Sequence, residues 1–278
     1  MHEPDPVPTG PASQQGMRRA NLALVLGTIA SGPRSRAEVA AGTGLTRAAV
    51  SSLAEQLIAA GLVVEEGPAA PSGKVGRPGT ALGLNPAGPG GLGAEIGVRH
   101  LGACVVDLRG EVRAWRRREV SNHGRAPATV MADLAHLLRE AVAESGLRPA
   151  GLTLAVPGLV GGSGGMLRRA ANLGWQDIPL AAELRPALRT AGGGLAELPI
   201  EADNEANLGG LAERWLGEGP EDFLYVSAEA GVGAAIVVGG RLLRGAGGYA
   251  GEFGHVPVHP GGRRCACGAH GCLEQYAG

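Results

Sequence analysis

Apolar residues near the start of the chain have the spacing of a three-helix unit. The first helix carries its buried face at positions three or four residues apart, namely Leu22, Val25, Leu26 and Ile29. A second helix follows Ser35, and Glu38 three residues later completes a capping box. A third begins after Thr46, its N-cap, and ends at Gly61. Two short helices joined by a Thr-Gly-Leu turn predict a helix-turn-helix.

Strand and turn signals follow the third helix. Segments 62–64 and 81–84 predict paired strands, and the stretch from Gly67 to Pro78 between them is rich in turn residues. This pattern is typical of the wing of a winged helix-turn-helix. Lys74 and Arg77 lie near the wing tip, where two cations on a glycine-rich backbone suit contact with a minor groove.

The pattern predicts three parts of the chain. Residues 1–16 are polar, lack periodicity and are expected to form a disordered tail. Residues 17–90 form the winged helix-turn-helix domain, which ends in the turn-forming Asn-Pro-Ala-Gly-Pro-Gly. Residues 91–278 form a second domain.

Strands and helices alternate in this second domain. The expected elements are strands at 93–98, 101–107 and 111–120, a helix at 126–145, a strand at 151–156, a helix at 180–190, a strand at 198–202, a helix at 204–216 and a hairpin of 223–228 with 233–238. This order predicts an α/β sheet of mixed direction.

Composition excludes several classes of protein. With 44% apolar and 18% charged residues the 278-residue chain can form buried cores, which excludes wholesale disorder. The net charge of −1 provides no global attraction to nucleic acid or membranes, and 3% aromatic residues argue against a stacking platform for single strands. No apolar run near the N-terminus approaches the ~18 residues of a membrane span, so we expect a cytoplasmic protein without a membrane partner.

The third helix supplies the expected contacts with duplex DNA. Its first turns expose Thr46, Arg47, Ser51 and Ser52, which could enter a major groove, and Arg47 is the expected base contact. The alternative is an ordinary solvated helix face. Residues 1–90 hold seven basic and six acidic residues, a net charge of +1, so tight operator binding is expected to need a homodimer or higher oligomer.

One histidine and three cysteines have the pattern of a metal site. His255 precedes Cys265, Cys267 and Cys272, and four protein ligands of this kind suit a closed, structural Zn²⁺ site. The alternative is buried, inert cysteines beside an unrelated histidine. Cys104, within a predicted strand, is expected to be a core residue.

Several motifs resemble the ROK family, which comprises repressors, open reading frames and kinases. They are Pro-Gly-Leu-Val at 157–160, Asn-Leu-Gly-Trp at 172–175, Gly-Glu-Phe-Gly-His at 251–255 and the Cys-x-Cys-Gly-x-x-Gly-Cys-x-Glu run that ends at Glu274. The resemblance extends from Arg19 to the end. It implies a winged helix-turn-helix followed by an actin/hexokinase-like (RNase H-like) sugar-kinase fold. Because the family's repressors continue beyond this point, the second lobe is expected to be incomplete.

The resemblance also implies a set of sugar-binding residues. They are Asn172, Asn204, Glu205, Glu252, His255 and Glu274. Carboxylates and amides suit this task because they pair with vicinal hydroxyl groups. The alternatives are a helix N-cap for Asn204 and solvated surface acids for Glu252 and Glu274.

Three departures from the family's kinases predict that phosphotransfer is lost. Glu205 replaces the catalytic Asp and is longer by one methylene. The first phosphate loop, at 95–99, lacks its second Gly and its Thr, and the second, at 229–233, begins with the carboxylate of Glu229. We therefore expect neither ATP binding nor enzymatic activity.

We therefore expect a sugar-responsive transcriptional regulator that acts as a repressor. Its partners would be operator double-stranded DNA and a sugar or amino-sugar effector, with Zn²⁺ as a structural ion. Two alternatives stay open: an ATP-dependent sugar kinase with an appended DNA-binding domain, and a DNA-binding protein whose sensor responds to another protein.

Overall fold

The computed structural model describes residues 14–68, 79–161, 165–217, 219–228 and 231–278. Internal contacts divide these residues into two compact units. The first contains the described residues up to Gly91 together with Val106–Val112, and the second contains Leu92–Val105 and the residues from Arg113 onward.

The first unit begins with three helices. They are α1 (Gln14–Ala30), α2 (Arg36–Thr43) and α3 (Arg47–Ala59). Both halves of the predicted capping box are present, since the Ser35 hydroxyl accepts from the Glu38 amide and the Glu38 carboxylate accepts from the Ser35 amide. The Thr46 hydroxyl accepts from Ala49 N at 3.2 Å and caps α3, as predicted.

The prediction of a disordered tail at residues 1–16 is wrong for residues 14–16. Residues 14–16 form the first turn of α1, and residues 1–13 lie outside the described residues. The turn carries Gln, Gln and Gly and has no apolar residue, so helical periodicity in the sequence begins only with the residues that pack inward.

Three short strands form the wing sheet. They are β1 (Arg34–Ser35), β2 (Val63–Pro68) and β3 (Thr80–Leu84), in the antiparallel order β1-β3-β2. The winged helix-turn-helix is therefore confirmed, although the two-residue β1 was not predicted. The wing tip, with Lys74 and Arg77, falls outside the described residues.

One apolar cluster holds this unit together. It consists of Val25, Ile29, Val39, Ala40, Val50, Leu53, Ala54, Leu57, Val63 and Leu82. From the turn at 107–110, Arg109 Nε donates to Leu84 O at 2.9 Å and its guanidinium pairs with Glu66. The cluster fixes α3 on its apolar side and leaves its polar side exposed.

The second unit has the predicted alternation of strands and helices. Its elements are β4 (Gly90–Ile96), β5 (His100–Val106), β6 (Val112–Glu119), α4 (Pro127–Ser145), β7 (Pro149–Val156), β8 (Leu159–Gly161), β9 (Met166–Ala170), β10 (Trp175–Pro179), α5 (Leu180–Ala191), β11 (Ile200–Asn204), α6 (Glu205–Leu216), β12 (Phe223–Ala228), β13 (Val232–Val238), β14 (Arg241–Leu242) and α7 (Glu274–Ala277). Single 3₁₀ turns lie at 195–197 and 253–255. The α/β class is confirmed.

The main sheet places two functional segments side by side. Its strand order is β11-β7-β4-β5-β6, and α4 and α5 pack on its apolar face. Strands β7 and β11 are parallel, with Val156 opposite Asn204. Because parallel strands end at the same edge, Pro157 and Gly158 come next to Asn204 and Glu205.

Two smaller sheets complete the unit. One has the order β8-β9-β10 and was not predicted, because its strands have only three to five residues. The other has the order β12-β13-β14 and packs against α6, where a Cβ on Gly210 would lie 2.8 Å from Ala235 Cβ. Glycine at this position lets α6 approach β13 closely.

A search of the helices in the described parts of the chain found none with the length and apolar character to cross a lipid bilayer.

Candidate functional site

A cavity of about 420 Å³ opens between the main sheet and the β12-β13-β14 sheet. All six predicted sugar-binding residues line it, namely Asn172, Asn204, Glu205, Glu252, His255 and Glu274. They come from separate segments of the chain, which the fold brings together at the edge of the main sheet. The size and polar lining suit a small polar ligand.

Asn204 both lines the cavity and caps a helix. Its Oδ1 accepts from Ala206 N at 2.8 Å and Asn207 N at 3.3 Å, and its Nδ2 donates to Gly158 O at 3.0 Å. The N-cap role is confirmed, and the cap holds Glu205 in the first turn of α6, facing the cavity.

Asn172 and Glu274 approach each other over Gly231. A Cβ on Gly231 would lie 2.7 Å from Glu274 Oε2 and 3.4 Å from Asn172 Nδ2. On the other side of Asn172, its carbonyl oxygen lies 3.0 Å from His123 Nδ1. Glycine at position 231 therefore leaves space for both side chains at the cavity wall.

Two carboxylates flank the His255 ring. Nε2 lies 4.0 Å from Glu252 Oε2, and Nδ1 lies 3.8 Å from Glu274 Oε1. The side chains of Glu252 and Glu274 are only 34% and 9% exposed, so they are not freely solvated surface acids. Burial raises the pKa of Glu252, and the neighbouring His255 acts in the opposite direction.

The predicted metal ligands form one cluster. The ligand atoms of His255, Cys265, Cys267 and Cys272 all lie within 4.8 Å of one another. Cys267 Sγ is 3.7 Å from Cys272 Sγ, and Cys265 Sγ is 3.7 Å from His255 Nδ1. Tetrahedral coordination with Zn–S bonds of about 2.3 Å separates neighbouring sulfurs by about 3.8 Å, so the donor set and its spacing fit Zn²⁺.

The metal cluster and the cavity share two residues. His255 belongs to both, and Cys267 also lines the cavity. Cys265 Sγ lies 3.3 Å from Glu274 Oε1, and burial raises the pKa of this thiol to about 12. A metal that binds here must therefore displace a proton, and its affinity falls as the pH falls.

The segment predicted to be the first phosphate loop, residues 95–99, is followed by a buried histidine that sequence analysis missed. His100 Nε2 lies 3.1 Å from Oε1 of Glu95, which lines the cavity. A Cβ on Gly97 would lie 2.3 Å from His100 Cε1, so the ring occupies the space beside this loop. His100 directly follows these residues, but no sequence pattern predicts that its ring folds back on them, because the contact depends on the turn between β4 and β5. Glu229, the first residue of the predicted second phosphate loop, lies outside the described residues.

The predicted DNA-contacting residues of α3 lie together at its N-terminal end. Thr46, Arg47 and Ser52 are exposed, and Ser51 is half-buried. Farther along α3, Gln56 Oε1 accepts from Arg18 Nη2 of α1 at 2.7 Å, which orients α3 relative to α1.

Comparison with known protein families identifies both parts of the chain. The MarR family model matches residues 16–72, and the ROK family model matches residues 91–278. The xylose repressor of Caldicellulosiruptor bescii is 32% identical over 267 residues, which cover 94% of this chain and 64% of that protein. The chain thus spans about two-thirds of the length of this curated relative.

Solved structures give the same assignment. A ROK family transcriptional regulator, a homolog of the E. coli MLC protein, matches with a TM-score of 0.72 and 27% identity over 94% of this chain and 65% of that chain. A ROK family glucokinase from Streptomyces griseus, in complex with glucose and AMPPNP, matches with a TM-score of 0.57 and 27% identity over 67% of this chain and 56% of that chain. The resemblance inferred from the motifs is thereby confirmed, and the chain belongs to the ROK family.

Proposed function

We propose that this protein is a sugar-responsive transcriptional repressor. One observation carries the proposal: six polar side chains from four segments converge on one cavity, in a chain whose first unit is a winged helix-turn-helix. The first unit would bind operator DNA and the cavity would bind the effector. The protein would bind both the DNA and the sugar in the cytoplasm.

The chemistry of the cavity supports a polyhydroxyl ligand. Glu205, Glu252 and Glu274 can each accept from sugar hydroxyls, and Asn172 can both donate and accept. A sugar with a missing or inverted hydroxyl would leave one of these half-buried groups without its hydrogen bond, which gives selectivity. Because the relatives include proteins named xylose repressors, D-xylose is the first effector to test, followed by hexoses and amino sugars.

The metal cluster supports the cavity wall. His255, Cys265, Cys267 and Cys272 would hold Zn²⁺, which supplies a structural crosslink when bound. With Nδ1 directed to the cysteines, the His255 ring presents Nε2 toward Glu252 and the cavity. The cluster thus fixes the orientation of one predicted sugar contact.

Binding to operator DNA is expected to depend on α3. Replacing Arg47 with alanine should remove a hydrogen-bonded pairing with a base edge, weaken operator binding by about 1–3 kcal/mol and relax discrimination at that base. The measurement is fluorescence anisotropy with a duplex from the protein's own promoter region, at fixed salt. Arg139→Ala, an exposed arginine on α4, is the matched control and should bind as the unmodified protein does. If the Arg47→Ala variant, the control and the unmodified protein bind the operator with equal affinity, α3 is not part of the DNA-binding interface.

Phosphotransfer is not expected from this cavity. The predicted first phosphate loop at 95–99 lacks the second Gly and the Thr of the family's kinases, and Glu205 replaces the Asp that acts as their base. Restoring the base alone by Glu205→Asp should therefore leave ATP-dependent phosphorylation of xylose, glucose and N-acetylglucosamine at background. An ATPase-coupled assay measures this directly. If the variant phosphorylates any of these sugars, the loops are functional and the kinase alternative gains support.

A further inference from the structure

One ion pair links two walls of the cavity. Arg244 Nη2 lies 2.6 Å from Asp203 Oδ2. Asp203 belongs to β11 of the main sheet and directly precedes Asn204 and Glu205, whereas Arg244 follows β14 in the loop that leads to Glu252. The pair therefore spans from the main-sheet wall to the wall that carries Glu252.

Asp203 is held firmly on its own wall. Its side chain is only 9% exposed, and its Oδ1 accepts from Asn204 N at 2.8 Å and from Asn207 Nδ2 at 3.0 Å. These bonds tie the carboxylate to the first turn of α6. A displacement of Asp203 would therefore displace Asn204 and Glu205 as well.

Arg244 is connected just as directly to Glu252. Its carbonyl oxygen accepts from Ala250 N at 3.0 Å, which closes a short glycine-rich loop two residues before Glu252. Next in the chain, Gly251 has φ 104° and passes so close to β13 that a Cβ would lie 2.3 Å from Ala234 O. The hydrogen bond to Arg244 O and the close approach to β13 therefore leave Glu252 little freedom to move relative to Arg244 and β13.

We infer that Arg244 is a positioning residue for the effector cavity. Its ion pair with Asp203 sets the separation between Glu252 on one wall and Asn204 and Glu205 on the other. The consequence for saccharide affinity rests on the proposed function, because it assumes that these residues bind the effector.

The test compares three arginine variants of the full chain. Arg244→Met removes the charge but keeps most of the side chain, and Arg244→Lys keeps the charge. The matched control is Arg116→Met, which breaks an ion pair of the same 2.6 Å length with Glu144 on the surface of the same unit. In a calorimetric titration, the Arg244→Met variant should bind D-xylose at least about tenfold more weakly than the unmodified protein, because a misplaced contact is costly. Arg244→Lys should recover most of that loss, and Arg116→Met should match the unmodified protein.

Hydrogen–deuterium exchange gives a readout that needs no effector. Arg244→Met should accelerate exchange at Ala250 and Asn204, whose amides donate to Arg244 O and Asp203 Oδ1, whereas Arg116→Met should leave these amides unchanged. If Arg244→Met has unchanged exchange there, or if both Met variants lose D-xylose affinity equally, the inference is overturned. If the unmodified protein binds no saccharide, the proposed function fails, while the exchange comparison still decides whether Arg244 positions the two walls.

Discussion

Replacing Cys272 with serine is expected to abolish stoichiometric zinc and to destabilise the second unit. Cys272 is fully buried, and its Sγ lies 3.7 Å from Cys267 Sγ, so serine would leave an incomplete ligand set that no other residue of the cluster can fill. Loss of a direct ligand should lower zinc affinity by more than the 10–100-fold typical for an outer partner. The cost to folding should be several kcal/mol, or roughly 10 °C in melting temperature.

Elemental analysis and a thermal melt test this expectation. Cys104→Ser is the matched control, because Cys104 lies on β5 and is not one of the clustered ligands. It should keep one zinc per chain. If the Cys272→Ser variant retains its zinc and melts with the unmodified protein, Cys272 is not a ligand and the proposed four-residue set is wrong; if the unmodified protein itself holds no zinc, the metal proposal fails.

Replacing Glu252 with leucine is expected to have the largest effect on saccharide binding. Glu252 is half-buried in the cavity wall beside His255, so the substitution removes a charged acceptor and leaves a sugar hydroxyl facing an apolar group. Hydrogen bonds to charged groups contribute about 1.5–3 kcal/mol, which corresponds to roughly 10–150-fold in affinity. Calorimetry with D-xylose and with the hexose and amino-sugar panel measures the loss.

The control for this substitution is Glu140→Leu on the exposed face of α4. It should bind every saccharide as the unmodified protein does. Zinc content must be measured for both variants, since Glu252 lies only 4.0 Å from the ligand His255. Should the Glu252→Leu variant keep its zinc and its full saccharide affinity, Glu252 does not contact the effector.

Much of the fold could be predicted because local signals agreed with tertiary packing. The capping box of Ser35 and Glu38 and the N-cap of Thr46 marked helix starts that the structure confirms. In the second unit the apolar faces of α4 and α5 were equally clear. The sheet of β8, β9 and β10 was missed, because its strands have three to five residues and alternate only partly.

In the candidate site, only the residues that lie in recognisable motifs could be predicted from the sequence. Asn172, Asn204 and Glu252 were named from the family resemblance, and the parallel pairing of β7 with β11 explains why Asn204 lies beside Pro157 and Gly158 at the cavity. His100 and Arg244 had no such signal. Their partners are set by a turn and by a contact between sheets, and neither has a period in the sequence.

We expect that occupancy of the cavity by a saccharide alters operator binding. A titration of the DNA-bound protein with saccharides tests this most directly. Labelled operator duplex is bound by the purified chain, and D-xylose, hexoses and amino sugars are added in turn while anisotropy is followed. At least one saccharide should change operator affinity by about 5–150-fold, the usual range of coupling between two sites, and Glu252→Leu should suppress the change. Operator binding that requires Arg47 yet stays the same with every saccharide would contradict this expectation.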